Sequence, residues 1–112
     1  MELIVEPHAT ATLIRVNASR IDALTALNFK EEMRSLIGRG EGRFVLDLQQ
    51  VDFIDSSGLG AVVAAMKHVR AGQKLELAAL QPIVEKVFRL TRMDTIFTIH
   101  ENADKALAPD HG

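Results

Sequence analysis

Val51-Asp52-Phe53-Ile54-Asp55-Ser56-Ser57-Gly58-Leu59-Gly60 is the stretch on which the reading of this chain turns. The apolar run before it, Phe44-Val45-Leu46-Asp47-Leu48, has the composition of a strand covered on both faces. The residues after it recur at helical spacing. The stretch is therefore a strand-to-helix junction carrying a carboxylate, two adjacent hydroxyls and two glycines. Such a junction presents free backbone N–H groups and the positive end of a helix dipole. It can hold an anion, or a serine that becomes one by phosphorylation. Asp or Ser before an apolar helix is also an ordinary N-cap. One cap suffices, yet Asp55, Ser56 and Ser57 stand together. Gly58 and Gly60 follow inside the first helical turns, where each glycine costs about 1 kcal/mol relative to Ala. That cost points to something that approaches the backbone closely.

The length of 112 residues suits one compact domain over residues 1–112, with a core that needs no staples. Cysteine is absent, which excludes disulfides and thiol chemistry. The net charge of −2, without any Lys/Arg block, argues against a nucleic-acid partner. With no Trp or Tyr and only five Phe, the chain lacks a stacking platform for bases or sugars. Met1-Glu2-Leu3-Ile4-Val5-Glu6 has neither a basic region nor a long apolar run, so it does not read as a signal peptide. No run approaches the roughly 20 apolar residues of a membrane span. The expectation is a cytoplasmic protein without a membrane partner.

Leu3–Val5 and Ala11–Val16 read as strands, and Pro7-His8-Ala9-Thr10 as the turn of a hairpin. Asn17-Ala18-Ser19 is a polar loop. Asp22 opens a helix whose apolar face is Ala26, Phe29, Met33, Leu36 and Ile37, stopped by Gly38, Gly40 and Gly42. After the junction, Leu59, Val62, Val63, Met66 and Val69 form an apolar stripe. Gly60, Ala61, Ala64 and Ala65 keep the rest of that helix narrow, which suits close packing on a sheet and a smooth docking surface equally. Ala71-Gly72-Gln73 closes it. Lys74–Ala79 reads as a strand, and Pro82 starts a helix with Ile83, Val84, Val87, Phe88 and Leu90 as its buried stripe. Thr91–Asp94 is a loop, Ile96–Ile99 a last strand, and Glu101–Ala108 a short helix capped by Asn102. Pro109-Asp110-His111-Gly112 is a frayed tail. Helices alternating with strands after an opening hairpin specify an α/β layer fold with a mixed sheet. Functional loops in such sheets gather at the strands' carboxyl ends, where Asp22 and the Asp55–Ser57 turn are both expected.

Other chemistry is missing. His8, His68, His100 and His111 are scattered and read as solvated surface residues, without metal-ligand spacing. Asp47, Asp52 and Asp55 lack a recognised cation pattern. No Gly stands two residues before Ser56 or Ser57, so the nucleophile elbow of a serine hydrolase is absent. Neither a dinucleotide fingerprint nor a P-loop occurs, and no cofactor is expected.

Phe53-Ile54-Asp55-Ser56-Ser57-Gly58-Leu59-Gly60, placed after the strand Phe44–Leu48, resembles the STAS domain family, and within it the bacterial anti-sigma-factor antagonists of partner-switching systems. The resemblance runs from Leu3 to Leu107. It implies a mixed sheet of four or five strands flanked by helices, and a binding module with no enzymatic activity. The implied partner is an anti-sigma factor that is also a serine kinase; a metal-dependent serine phosphatase resets the switch. The matching phosphoacceptor is Ser57. Asp22, Asp55, Ser56, Gly58, Leu59 and Gly60 form the implied partner-binding surface. Ser19 departs from the family pattern, which often has Gly two residues before the Ile21 position. A STAS subunit of another assembly, such as a lipid-transport ATPase complex or a signalling regulator, is the alternative the same residues allow.

Overall fold

A computed structural model describes residues 1–109, so the tail expected from Pro109 lies, from Asp110 onward, outside the described residues. In chain order the elements are β1 (Glu2–Pro7), β2 (Thr12–Asn17), β3 (Arg20–Ile21), α1 (Ala26–Arg39), β4 (Arg43–Asp47), β5 (Phe53–Ile54), α2 (Ser56–Met66), β6 (Lys74–Ala78), α3 (Pro82–Leu90), a 3-10 turn (Met93–Thr95), β7 (Ile99–His100) and α4 (Ala103–Leu107). A five-stranded mixed sheet runs β1-β2-β4-β6-β7, antiparallel between β1 and β2 and parallel elsewhere. This is the flanked mixed sheet that the alternation of elements predicts.

Strand periodicity divides the core in two. Ile14, Val16, Phe44, Leu46, Leu75 and Leu77 face one way, against Phe29, Met33, Ile37, Val62, Ala65, Val84 and Phe88 from α1, α2 and α3. Leu13, Val45 and Ala78 face the other way and are covered by Ala106 of α4.

A second, two-stranded parallel sheet pairs β3 with β5, Arg20 opposite Phe53 and Ile21 opposite Ile54. No periodicity announces it, because two residues are too few to show alternation. It matters for the site, since it holds the loop before α1 beside the start of α2. Asp52 and Phe53 N–H groups both donate to the Ser19 carbonyl, at 2.9 and 3.2 Å. The only non-glycine residues with positive φ among the described residues are Ala79 and Arg92, so the Ser19 backbone needs no glycine.

Several boundaries differ from expectation. Asp22 does not start α1; it builds a turn whose carbonyl accepts from Thr25 and Ala26 N–H, and the helix begins at Ala26. Leu36 is only half-buried. Of the three glycines expected to stop α1, Gly38 lies within it, Gly40 is the C-cap, and Gly42 alone has positive φ, +72°. In α2 the deepest residues are Gly58, Ala61, Val62 and Ala65. Leu59, Val63 and Met66, with Val69 beyond the helix end, pack at the margin of the core, because α2 lies close against α1 and the β3–β5 pair. In α3, Ile83 and Leu90 are exposed, at 62% and 71%, and burial falls to Val84 and Phe88. β6 stops at Ala78, since Ala79 adopts a φ of 60°. The last strand is shortened to Ile99–His100 because the 3-10 turn uses the preceding chain and Ile96 faces solvent. Phe97 turns inward instead, edge-on to Phe88 with 6.0 Å between centroids.

His100 is not the solvated residue expected. Its Nε2 lies 2.9 Å from Glu76 Oε1, which also accepts from Arg43 Nη1 at 2.6 Å; Arg43 Nη2 donates to the Ala106 carbonyl. The network ties α4 to three strands. Burial pushes the Glu76 carboxyl up, but hydrogen bonds and charge from His100 and Arg43 outweigh it, and the net direction is down. A carboxyl with a lowered folded value contributes stability above the usual glutamate range and loses it as pH falls through the folded value. Glu76→Ala is expected to lower unfolding free energy by about 2 kcal/mol near pH 7, since it strands Arg43 and His100. Glu76→Gln should flatten the acid limb of a melting-temperature profile relative to the parent protein.

Candidate functional site

The site forms where β3 and β5 bring two loops together. Asp55 is the N-cap of α2: its Oδ1 accepts from Gly58 N–H at 2.8 Å. Its Oδ2 accepts from Ala23 N–H at 3.2 Å, and its own N–H donates to the Ile21 carbonyl at 3.4 Å. One carboxylate thus closes the helix and clamps the turn after β3 against it. Asp55→Ala is expected to cost about 1–2 kcal/mol of stability in urea unfolding, a lost cap plus a lost tether.

Asp22 sits in that clamped turn. Its Oδ1 accepts from Leu24 N–H at 3.1 Å, and its Oδ2 from Arg20 Nε at 3.1 Å. The Arg20 hydrogen bond is the main reason the Asp22 carboxyl is held below its usual range. Arg20 in turn lies over the Phe53 ring, its guanidinium carbon 3.9 Å from the centroid. The sequence motifs assign no role to Arg20 or to Phe53. The i, i+2 spacing of Arg20 and Asp22 on one face of an extended segment is the signal that marks the first of them.

Ser56 and Ser57 occupy the first two positions of α2, and both are exposed. Among the described residues neither hydroxyl makes a hydrogen bond, because Asp55 already caps the helix. Their N–H groups lie in the turn where a helix offers no carbonyl partner. The two glycines separate in role. A Cβ on Gly58 would stand 1.9 Å from the Ile21 carbonyl oxygen, so the close approach its cost implied is made by the chain itself. A Cβ on Gly60 would meet nothing within 4 Å. Leu59 is half-buried at the edge of the core, and Gly60 is exposed. The structure therefore brings Asp22, Asp55, Ser56, Ser57, Gly58, Leu59 and Gly60 to one end of the molecule. Among the described residues no group of three or more His, Asp or Glu side chains is placed to hold a metal ion, and no helix is long and apolar enough to cross a membrane.

A mixed sheet with a serine-bearing helix start of this kind defines a domain class, and the chain belongs to it: the STAS domain family model matches residues 2–106. The chain is 33% identical over 89 residues to BtrV of Bordetella bronchiseptica, a candidate anti-sigma factor antagonist, covering 79% of this chain and 77% of that one. It is 34% identical over 83 residues to the anti-sigma-B factor antagonist of Listeria monocytogenes, covering 73% of each. Among solved structures it superposes on an anti-sigma factor antagonist from Mycobacterium paratuberculosis with a TM-score of 0.85 and 24% identity, over 95% of this chain and 90% of that one. It also shares its fold with the Bacillus cell fate determinant SpoIIAA in its phosphorylated form, at a TM-score of 0.67 and 20% identity over 94% and 96% of the two chains.

Proposed function

We propose that this chain is an anti-sigma factor antagonist whose hold on its partner is controlled by phosphorylation of Ser57. The partner is an anti-sigma factor with serine-kinase activity, and a metal-dependent serine phosphatase removes the phosphate. The single domain, residues 1–112, works in the cytoplasm as a binding module and carries out no catalysis of its own. The observation that carries this reading is the pair of exposed hydroxyls at the start of α2 that the fold does not use. Asp55 does the capping, so the serines are free to serve something outside the chain. Relatives named as anti-sigma factor antagonists support the role, and the phosphorylated state of SpoIIAA supports a phosphate in this fold.

The chemistry is consistent with release rather than refolding. A phosphate adds about −1.5 to −2 charges at neutral pH. At the second position of α2, the helix dipole and the unpaired N–H groups favour it. Asp22 and Asp55, both held on the same rim, oppose it from the side. A partner seated on the exposed serines and Gly60 at the start of α2 then meets new charge and new bulk together. Incubating the purified chain with extract of the cells that make it and labelled ATP tests the assignment. Label mapped to Ser57, lost in Ser57→Ala and kept in Ser56→Ala, supports it; label confined to Ser56, or none, contradicts it.

A further inference from the structure

α1 and α2 lie side by side and leave a groove of about 410 Å³ between them. Leu27, Lys30, Glu31 and Arg34 line it from α1, and Ala64, Lys67 and His68 from α2 and its C-terminal end. Leu27 is 65% exposed at the head of the groove. Leu24, in the turn that Asp55 clamps through Ala23, is 93% exposed. Two leucines thus stand in water, one at the head of the groove and one in the turn beside the Ser57 site. Gly60 precedes Ala64 by one helical turn on the same face of α2, so the shallow floor continues from the groove toward Ser57. The fold itself does not require Gly60 to lack a side chain.

The rim is charged against the sign of the molecule. Lys30, Arg34 and Lys67 face a single carboxylate, Glu31, in a chain whose net charge is −2. Among the described residues none of these four enters an ion pair, whereas Arg15, Arg20, Arg43, Arg89 and Lys105 all do. A groove with an apolar floor and uncompensated cations is complementary to an amphipathic helix with carboxylates flanking its apolar stripe.

We propose that the α1–α2 groove docks an acidic amphipathic helix of the same partner that reads Ser57. The apolar stripe of that helix lies on Leu24, Leu27 and Ala64, and its carboxylates meet Lys30, Arg34 and Lys67. Leu27 to Arg34 covers two turns of α1, a rise of about 10 Å, so the groove engages roughly two turns of the incoming helix. Recognition then has two parts: the groove anchors, and the charge state of Ser57 decides whether the anchored partner stays.

This inference rests on the reading of the chain as a partner-binding module, but its test leaves Ser57 untouched. The probes are two synthetic 14-residue helical peptides with the same leucine stripe, one flanked by Glu and the other by Lys. Each is titrated into the isotope-labelled full chain while backbone amide resonances are followed. The Glu peptide is expected to shift the amides of Leu27, Ala64 and Lys67, and the Lys peptide to leave them in place. The Lys30→Glu/Arg34→Glu variant should bind the Glu peptide about tenfold more weakly and acquire affinity for the Lys peptide. Equal response to both peptides, shifts centred elsewhere, or no binding up to about 1 mM overturns the proposal. Concentration-dependent shifts of the same amides without peptide overturn it in favour of a second copy of the chain. A kinase that phosphorylates Ser57 while neither peptide enters the groove refutes the groove and leaves the proposed function standing.

Discussion

Gly58→Ala is expected to lose about 2–3 kcal/mol of stability and to unseat the start of α2, whereas Gly60→Ala is expected to gain up to about 1 kcal/mol. The two substitutions are chemically identical and sit two residues apart. At Gly58 the new Cβ would lie 1.9 Å from the Ile21 carbonyl oxygen, 2.6 Å from its carbon and 3.0 Å from Ile54 Cγ1. Two of those atoms are backbone, locked into the pairing of Ile21 with Ile54, so relief requires the helix to move. Moving it breaks the Asp55 contact to Ala23 and releases the turn that carries Asp22. Better helix propensity offsets part of this cost, about 1 kcal/mol. For a domain of this size the net loss lowers the melting temperature by roughly 10–15 °C. At Gly60 no atom stands within 4 Å, and only the propensity gain remains. Thermal unfolding of the two variants beside the parent chain checks both signs.

Ser57→Asp is expected to weaken partner binding about a hundredfold or more, a loss of about 2.7 kcal/mol, while leaving the fold intact. The expectation follows from where the charge falls. Ser57 is exposed at the second position of α2, so a carboxylate there clashes with nothing inside the molecule. The helix start favours an anion by about 0.3–1 kcal/mol, so the melting temperature should hold or rise slightly. A partner that buries this rim must instead desolvate the added charge beside Asp22 and Asp55. Calorimetric titration of the partner kinase with Ser57→Ala and Ser57→Asp separates the two effects. Ser57→Ala should bind as tightly as the unphosphorylated parent. If Ser57→Asp also bound as tightly, charge at Ser57 would not be the release signal.

Much of this architecture is legible in the sequence because strands and helices here are long enough to show their period. The hairpin, the central strand before Leu48, α2 and the cap at Asn102 all follow from alternation, helical spacing and capping residues. What escaped is what two-residue elements and tertiary contacts decide. β3 and β5 have no period to read, yet they position Asp22 beside Asp55. The stripe expected in α2 holds at Val62, but close packing on β3 and α1 puts Gly58, Ala61 and Ala65 in the other deepest positions. Ile83 and Leu90 have core chemistry without core placement. The Asp55-Ser56-Ser57 run contained both readings, and sequence alone does not say which residue caps. The hydrogen bond from Gly58 N–H to Asp55 separates them and leaves the serines unengaged. Gly58 and Gly60 looked equivalent, and only the Ile21 carbonyl tells them apart.

On the proposed function, Ser57 alternates between a free hydroxyl and a phosphate. Intact-mass measurement of the protein recovered from the cells that make it, with fragmentation to place any modification, tests this most directly. Two species differing by one phosphate are expected, with the phosphate on Ser57 and its fraction varying with growth conditions. A single unmodified mass under every condition, or a phosphate placed on Ser56, would contradict it.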